Sequence, residues 1–161
     1  MPAIAIRSLA VLLIAAPCLA GCGHHEDPDA EACEHLKVTE DKAVKVTAGP
    51  LPAGAPTVAD DHKRYDISLV DVTGGKGGNL AFAAEEAHDI AFFLSADVPV
   101  KFTDPAGMTA PIKSSAKSSS ACAEIKGKHV VPMSVGTYTV VLGPTTATAV
   151  NLVVEHAGHV H

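Results

Sequence analysis

Nine of the 161 residues are histidine, and most of them gather at two places in the chain. His24, His25 and His35 stand among Glu26, Asp27, Asp29, Glu31 and Glu34, and His156, His159 and His161 follow the last apolar stretch in HAGHVH. Neutral imidazole beside carboxylate suits Zn²⁺, Cu²⁺ or Ni²⁺. Neither group has the fixed spacing of a preformed centre such as HExxH. The pattern therefore predicts loose, exchangeable capture by flexible tails, with His24, His25, His35, His156, His159 and His161 as ligands. The bland alternative is a pair of solvated, acid-rich tails that include histidines. If the tails are bystanders, a site on the folded domain would lie around His62, His88 or His129. An even number of strands would bring the first and last to one pole and set His35 near His156.

Other chemistry finds less support. Cys122, His129 and Met133, with His88 upstream, follow the order of a blue-copper set, which needs two imidazoles, a thiolate and a weak axial Met. The six residues between Cys122 and His129 make a long ligand loop, and a disulfide at Cys122 would remove the thiolate. The serines cluster in KSSAKSSS without a GxSxG elbow. Asp60-Asp61-His62 reads as a surface turn before a strand. The glycine run at 74–78 lacks GxGxxG spacing and no helical pattern follows it, so it reads as a hairpin turn, not a phosphate cradle. Aromatics are 4% and tryptophan is absent, which argues against a carbohydrate-stacking platform. No catalytic residue is expected, and the chain reads as a binding protein, not an enzyme.

Residues 1–21 carry Arg7 and then an apolar run ending in Leu19-Ala20-Gly21-Cys22. A short basic start, an apolar core and a small-residue processing site make a secretory signal. The last four residues resemble the lipobox of bacterial lipoproteins. That resemblance implies cleavage before Cys22, a diacylglycerol on its sulfur, acylation of the new amino terminus and a lipid-anchored place in the cell envelope. Gly23 after the cysteine fits the family's sorting to the outer membrane facing the periplasm, or the cell surface. Cys22-Gly23-His24 is also an X-X-His chelate, which needs the terminal amine to stay free. Cleavage removes only Arg7 from the charged residues and takes the formal net charge from −6 to −7. No basic patch remains for nucleic acid. Cys18 leaves with the signal and Cys22 is lipidated, so Cys33 and Cys122 remain to form a disulfide in an oxidising compartment.

The elements that must position these groups read as β. Residues 22–34 look like a solvated spacer, and the domain is expected over 35–155 with a tail at 156–161. Val44 and Val46, Tyr65, Ile67 and Leu69, then Leu80 and Phe82 alternate with polar neighbours. The segment 89–95 is the most apolar of the mature chain and reads as the central strand. Val98, Val100 and Phe102, then 121–126 and 129–135, then Tyr138, Val140 and Leu142, and finally Val150, Leu152 and Val154 complete about eight short strands. KSSAKSSS reads as a mobile loop and Gly143-Pro144-Thr145 as a turn. Short strands between Gly/Pro turns predict an all-β sandwich, jelly-roll or Ig-like. Residues 80–154, HDIAFFLSADVPVKFTDPAG and CAEIKGKHVVPMSVGTYTVVLGP within them, resemble pre-peptidase C-terminal domains, which implies a sandwich and no catalytic residues. Two functions follow: a lipid-anchored envelope protein that captures or buffers transition metal, or a structural and protein-interaction lipoprotein with no metal role.

Overall fold

Period-two alternation pairs the strands into two layers. The computed structural model describes residues 27–158. The expected signal and lipidation site at Cys22, with His24, His25, His159 and His161, lie outside the described residues. A helix, α1 (Pro28–Leu36), precedes eleven strands. These are β1 (Val44–Thr47), β2 (Thr57–Val58), β3 (Tyr65–Ser68), β4 (Val70–Val72), β5 (Gly75–Ala84) and β6 (His88–Leu94), then β7 (Val100–Thr103), β8 (Ser114–Ala116), β9 (Gly127–Met133), β10 (Gly136–Thr145) and β11 (Ala149–His156). One sheet runs β1-β3-β11-β6-β9-β8 and the other β2-β5-β10-β7, with β4 also on β5. Both are mixed, because β1 joins β3 and β2 joins β5 in parallel. The fold is an all-β sandwich.

The inner faces meet in one core. Ile67, Phe92, Leu94, Leu152 and Val154 from the six-stranded sheet pack on Leu80, Phe82, Phe102, Val140 and Leu142 from the other. Phe92 stands edge-on to Phe82 at 5.4 Å between ring centres and lies 4.8 Å from Phe102. Each such side chain contributes roughly 1.5–3 kcal/mol by leaving water. As expected, the 89–95 segment supplies a central strand, and Ile67, Leu69, Phe92, Leu94, Phe102, Val140, Leu142, Leu152 and Val154 are buried. Val100, expected in the core, is only partly buried.

The larger departure lies at the start of the domain. Most of the expected spacer is α1, with Asp27 as N-cap accepting from the Asp29 N–H at 3.0 Å and Pro28 in the first turn. A capping Asp followed by Pro is a helix-start signal, and Ala32, Cys33 and Leu36 form a short apolar stripe behind it. That stripe covers Ala91, Phe93, Val130 and Val153 on the outer face of the six-stranded sheet. A helix this short would be marginal alone. Here it is fastened three ways. Cys33 is disulfide-bonded to Cys122 as expected, across 89 residues of chain. Arg64 donates to the Leu36 and Val38 carbonyls at 3.2 and 2.5 Å, and Lys128 pairs with Asp29.

Smaller corrections follow from pairing that a local window cannot see. The glycine run lies largely inside β5, where Gly77 passes so close to the Leu142 carbonyl that a Cβ would sit 2.4 Å from it. Gly143-Pro144, a cis peptide, stays within β10 across a register shift instead of ending it. Part of KSSAKSSS pairs with β9 as the exposed edge strand β8. Residues 121–126 are turns, not a strand, because the disulfide draws Cys122 out to α1. His156 closes β11 and belongs to the sheet, not to a tail.

Candidate metal centre

Four side chains from three separate parts of the chain meet at the end of β11. Glu31 and His35, four apart on α1, share one face of the helix. His62 comes from the loop between β2 and β3, and Glu155 from β11, two residues beyond Val153 and therefore on the same outer face of the sheet. One ligand atom from each of the four lies within 4.8 Å of the others. His62 Nδ1 stands 2.7 Å from Glu155 Oε2 and 3.0 Å from Glu31 Oε1, and His35 Nε2 is 3.9 Å from Glu155 Oε1. Ligands around a tetrahedral Zn²⁺ at ~2.0–2.1 Å would be about 3.3 Å apart. The observed spacings straddle that value, so small side-chain rotations suffice.

The loop that carries His62 is held from within. The Tyr65 hydroxyl accepts from the Ala59 N–H at 3.1 Å and donates to Asp61 at 3.0 Å, while Lys63 pairs with Asp61 at 2.7 Å. Burial, with Asp61 beside it, pushes the Tyr65 phenol up to about 12, so it stays a donor. His62 itself has φ 55°, the left-handed region that a side chain with a Cβ rarely adopts. Two residues on, Arg64 holds the end of α1 and is itself held by Asp66, at 2.6 and 3.1 Å. One short loop therefore presents His62 and fixes the helix that brings Glu31 and His35.

Glu155 is the anomaly of the molecule. Its side chain is 1% exposed, and neither carboxylate oxygen has a hydrogen-bond partner of sound geometry, close as His62 is. Burial, reinforced by the charges of Glu31, Asp60 and Asp61, pushes its carboxyl up to about 8. Taking a carboxylate out of water costs several kcal/mol unless a positive charge compensates it. Glu31, Asp60 and Asp61 add negative charge nearby, offset in part by Lys63 on Asp61 and His156 on Asp60. His35 and His62 are 27% and 42% exposed, so the cluster opens to solvent on the imidazole side.

The candidate ligands read from the sequence separate accordingly. His35 is in this cluster and meets Glu155, the neighbour of His156 in the chain. His156 points to the opposite face of β11, where it contacts Asp60 and the His88 ring. His129 lies on β9, its Nδ1 2.9 Å from the Ser115 hydroxyl, and burial lowers its pKa. With Cys122 in the disulfide, the blue-copper thiolate does not exist. The sequence reading misses Glu155; it names His62 only as one place for a site on the folded domain and Glu31 only as one of the acidic neighbours of the histidines. Asp60-Asp61-His62 offered the ligand types, but nothing local marked the loop as packed against β11. A scan against models of protein families matches none, and no curated protein matches the chain.

Proposed function

We infer that this protein binds a divalent transition-metal ion, with Glu31, His35, His62 and Glu155 as ligands. The observation that carries the reading is Glu155: a fully buried carboxylate without a hydrogen-bond partner, facing two imidazoles and a second carboxylate. Two nitrogens and carboxylate oxygen favour Zn²⁺, Cu²⁺ or Ni²⁺ over the hard, all-oxygen cations. The lipobox adds a location, an envelope lipoprotein tethered through Cys22, and capture or buffering of metal at that surface is the function that joins the two. A half-exposed pair of imidazoles fits exchange with solvent better than a sealed structural ion does.

Zn²⁺ titration against a chromophoric chelator tests the ligand set. The full mature chain with His24, His25, His159 and His161 all changed to Ala should still bind, and adding Glu155→Gln with His35→Ala should remove binding by these four residues. If the tail substitutions alone abolish all binding, the tails hold the metal and the cluster does not. Cys22→Ser should move the protein from membrane to soluble fractions; retention on the membrane would sink the anchor.

A further inference from the structure

The solvent side of α1 carries more acid than the helix itself needs. Asp27, Glu31 and Glu34 stand at i, i+4 and i+7 and so form one stripe along the helix. Together with Ala30 and His35 they wall an open cavity of about 250 Å³. Glu31 and His35 also belong to the cluster around Glu155, so they border the cavity and the cluster alike.

Two of the three carboxylates have a reason in the helix. Asp27 is its N-cap, and Glu31 lies in the first turn, where the helix dipole favours negative charge. Glu34 has neither reason. It lies in the last turn, where the dipole opposes a carboxylate, and three residues from Glu31, a like-charge pair that weakens a helix. The cations around α1 are turned to other partners: Lys37 to Glu124 at 3.7 Å, Lys128 to Asp29, and Arg64 to Asp66 and the Leu36 and Val38 carbonyls. Among the described residues the Glu34 side chain has no ion pair. Glu31 in turn stands 3.0 Å from His62, which stands 2.7 Å from the buried Glu155, whose oxygens lack a hydrogen-bond partner. The stripe therefore leads from water to a sealed carboxylate that has nothing to compensate it.

We propose that the cavity along Asp27, Glu31 and Glu34 is the entry path to the metal cluster, used by a hydrated divalent cation, with Glu34 as a capture residue outside the ligand set. The path rests on Glu31, His35, His62 and Glu155 being the ligands. Glu34 holds the ion through its water shell. Glu31 then replaces one of those waters, and His35, His62 and Glu155 complete the transfer. A cleft lined by one sign of charge raises the local concentration of the opposite ion and its association rate. Charges at such a rim act on association far more than on release.

The test is stopped-flow Zn²⁺ binding to the full mature chain with His24, His25, His159 and His161 changed to Ala. A fluorescent zinc indicator reads association, and an excess of chelator reads release. At low ionic strength Glu34→Gln should slow association about three- to tenfold and leave release within about twofold. Glu34→Lys should slow it further, and Asp27→Asn, which keeps the cap, should act in the same direction. The differences should shrink as salt is added, because exposed charges are screened. Unchanged association in Glu34→Gln and Glu34→Lys, in a chain whose binding Glu155→Gln with His35→Ala removes, overturns the path and leaves the ligand set standing. A change confined to the melting temperature or to release also overturns it, since Glu34 would then be structural or a ligand. If Glu155→Gln with His35→Ala leaves Zn²⁺ binding intact, the ligand set falls and the path falls with it.

Discussion

Glu155 and His156 are consecutive in β11, yet one is sealed beneath α1 and the other lines an open cavity. The outer residue is surrounded by carboxylates and has no hydrogen bond, so its surroundings demand positive charge. The inner one already has a carboxylate on its ring and stands beside an open cavity, so its surroundings make no such demand. The difference lies in what covers each face. A helix and a disulfide cover the outer face, while the ends of β5, β6 and β11 and the residues at 60 and 85–86 border the inner one. Burial thus separates two neighbouring residues of similar chemistry: one in a sealed cluster of ligand-type groups, the other at an open surface.

The largest effect should come from uncovering the outer face. Cys33→Ser with Cys122→Ser releases α1 from an 89-residue separation, and the chain-entropy model puts the loss on the order of 4 kcal/mol. Denaturant melts should show it. Zn²⁺ binding by Glu31, His35, His62 and Glu155 should vanish while the His88–His156 ring contact, followed by the NMR signals of their ring protons, persists; equal disturbance on both faces would break the comparison.

Next comes Glu155→Gln, which should weaken the outer site at least about 100-fold in chelator competition, since even outer-layer partners of metal ligands are worth ~10–100-fold.

A third effect appears without metal. The folded Glu155 carboxyl, at about 8, holds a proton that the unfolded chain releases near its ordinary value of 4.5. Its contribution is therefore complete below about pH 4.5 and is lost as pH rises through 8. His62, His35 and Glu31 face it from the loop and from α1, with Asp60 and Asp61 close by. Metal-free protein should lose roughly 3 kcal/mol between pH 5 and 8 relative to Glu155→Gln, compared by denaturant melts at each pH. Parallel curves would show that burial does not act on this carboxyl as argued.

The smallest effect is backbone relief. His62→Gly removes a side chain from a left-handed residue and should raise metal-free stability by about 1 kcal/mol or less, while the outer site loses affinity. A lower melting temperature would mean that the imidazole supports the fold as well as the ion.

The sandwich was legible because alternation is a local signal. Ile67, Val140, Leu142, Leu152 and Val154 declare their inner face within a few residues of chain. The outer site was legible only in part. His35 stood out by type, but Glu155 ends an apolar run and looked like the chain leaving the core. Its burial depends on α1, whose nine residues show little amphipathic pattern and are held by Cys122 and Arg64 from far along the sequence. Asp60-Asp61-His62 looked like a turn, and it is one; its chemistry comes from where Tyr65 and Arg64 fasten it.

Cys33 sits between Glu31 and His35 on α1, and that position sets an order of events. A thiol pair held reduced, as in the cytosol, makes no bridge. Without the bridge the helix keeps its apolar stripe and the contacts of Arg64 and Lys128, and Glu31 and His35 lose the covalent tie that holds α1 to the sheet. On the proposed reading, the outer ligand set would be complete only once the Cys33–Cys122 bridge has formed.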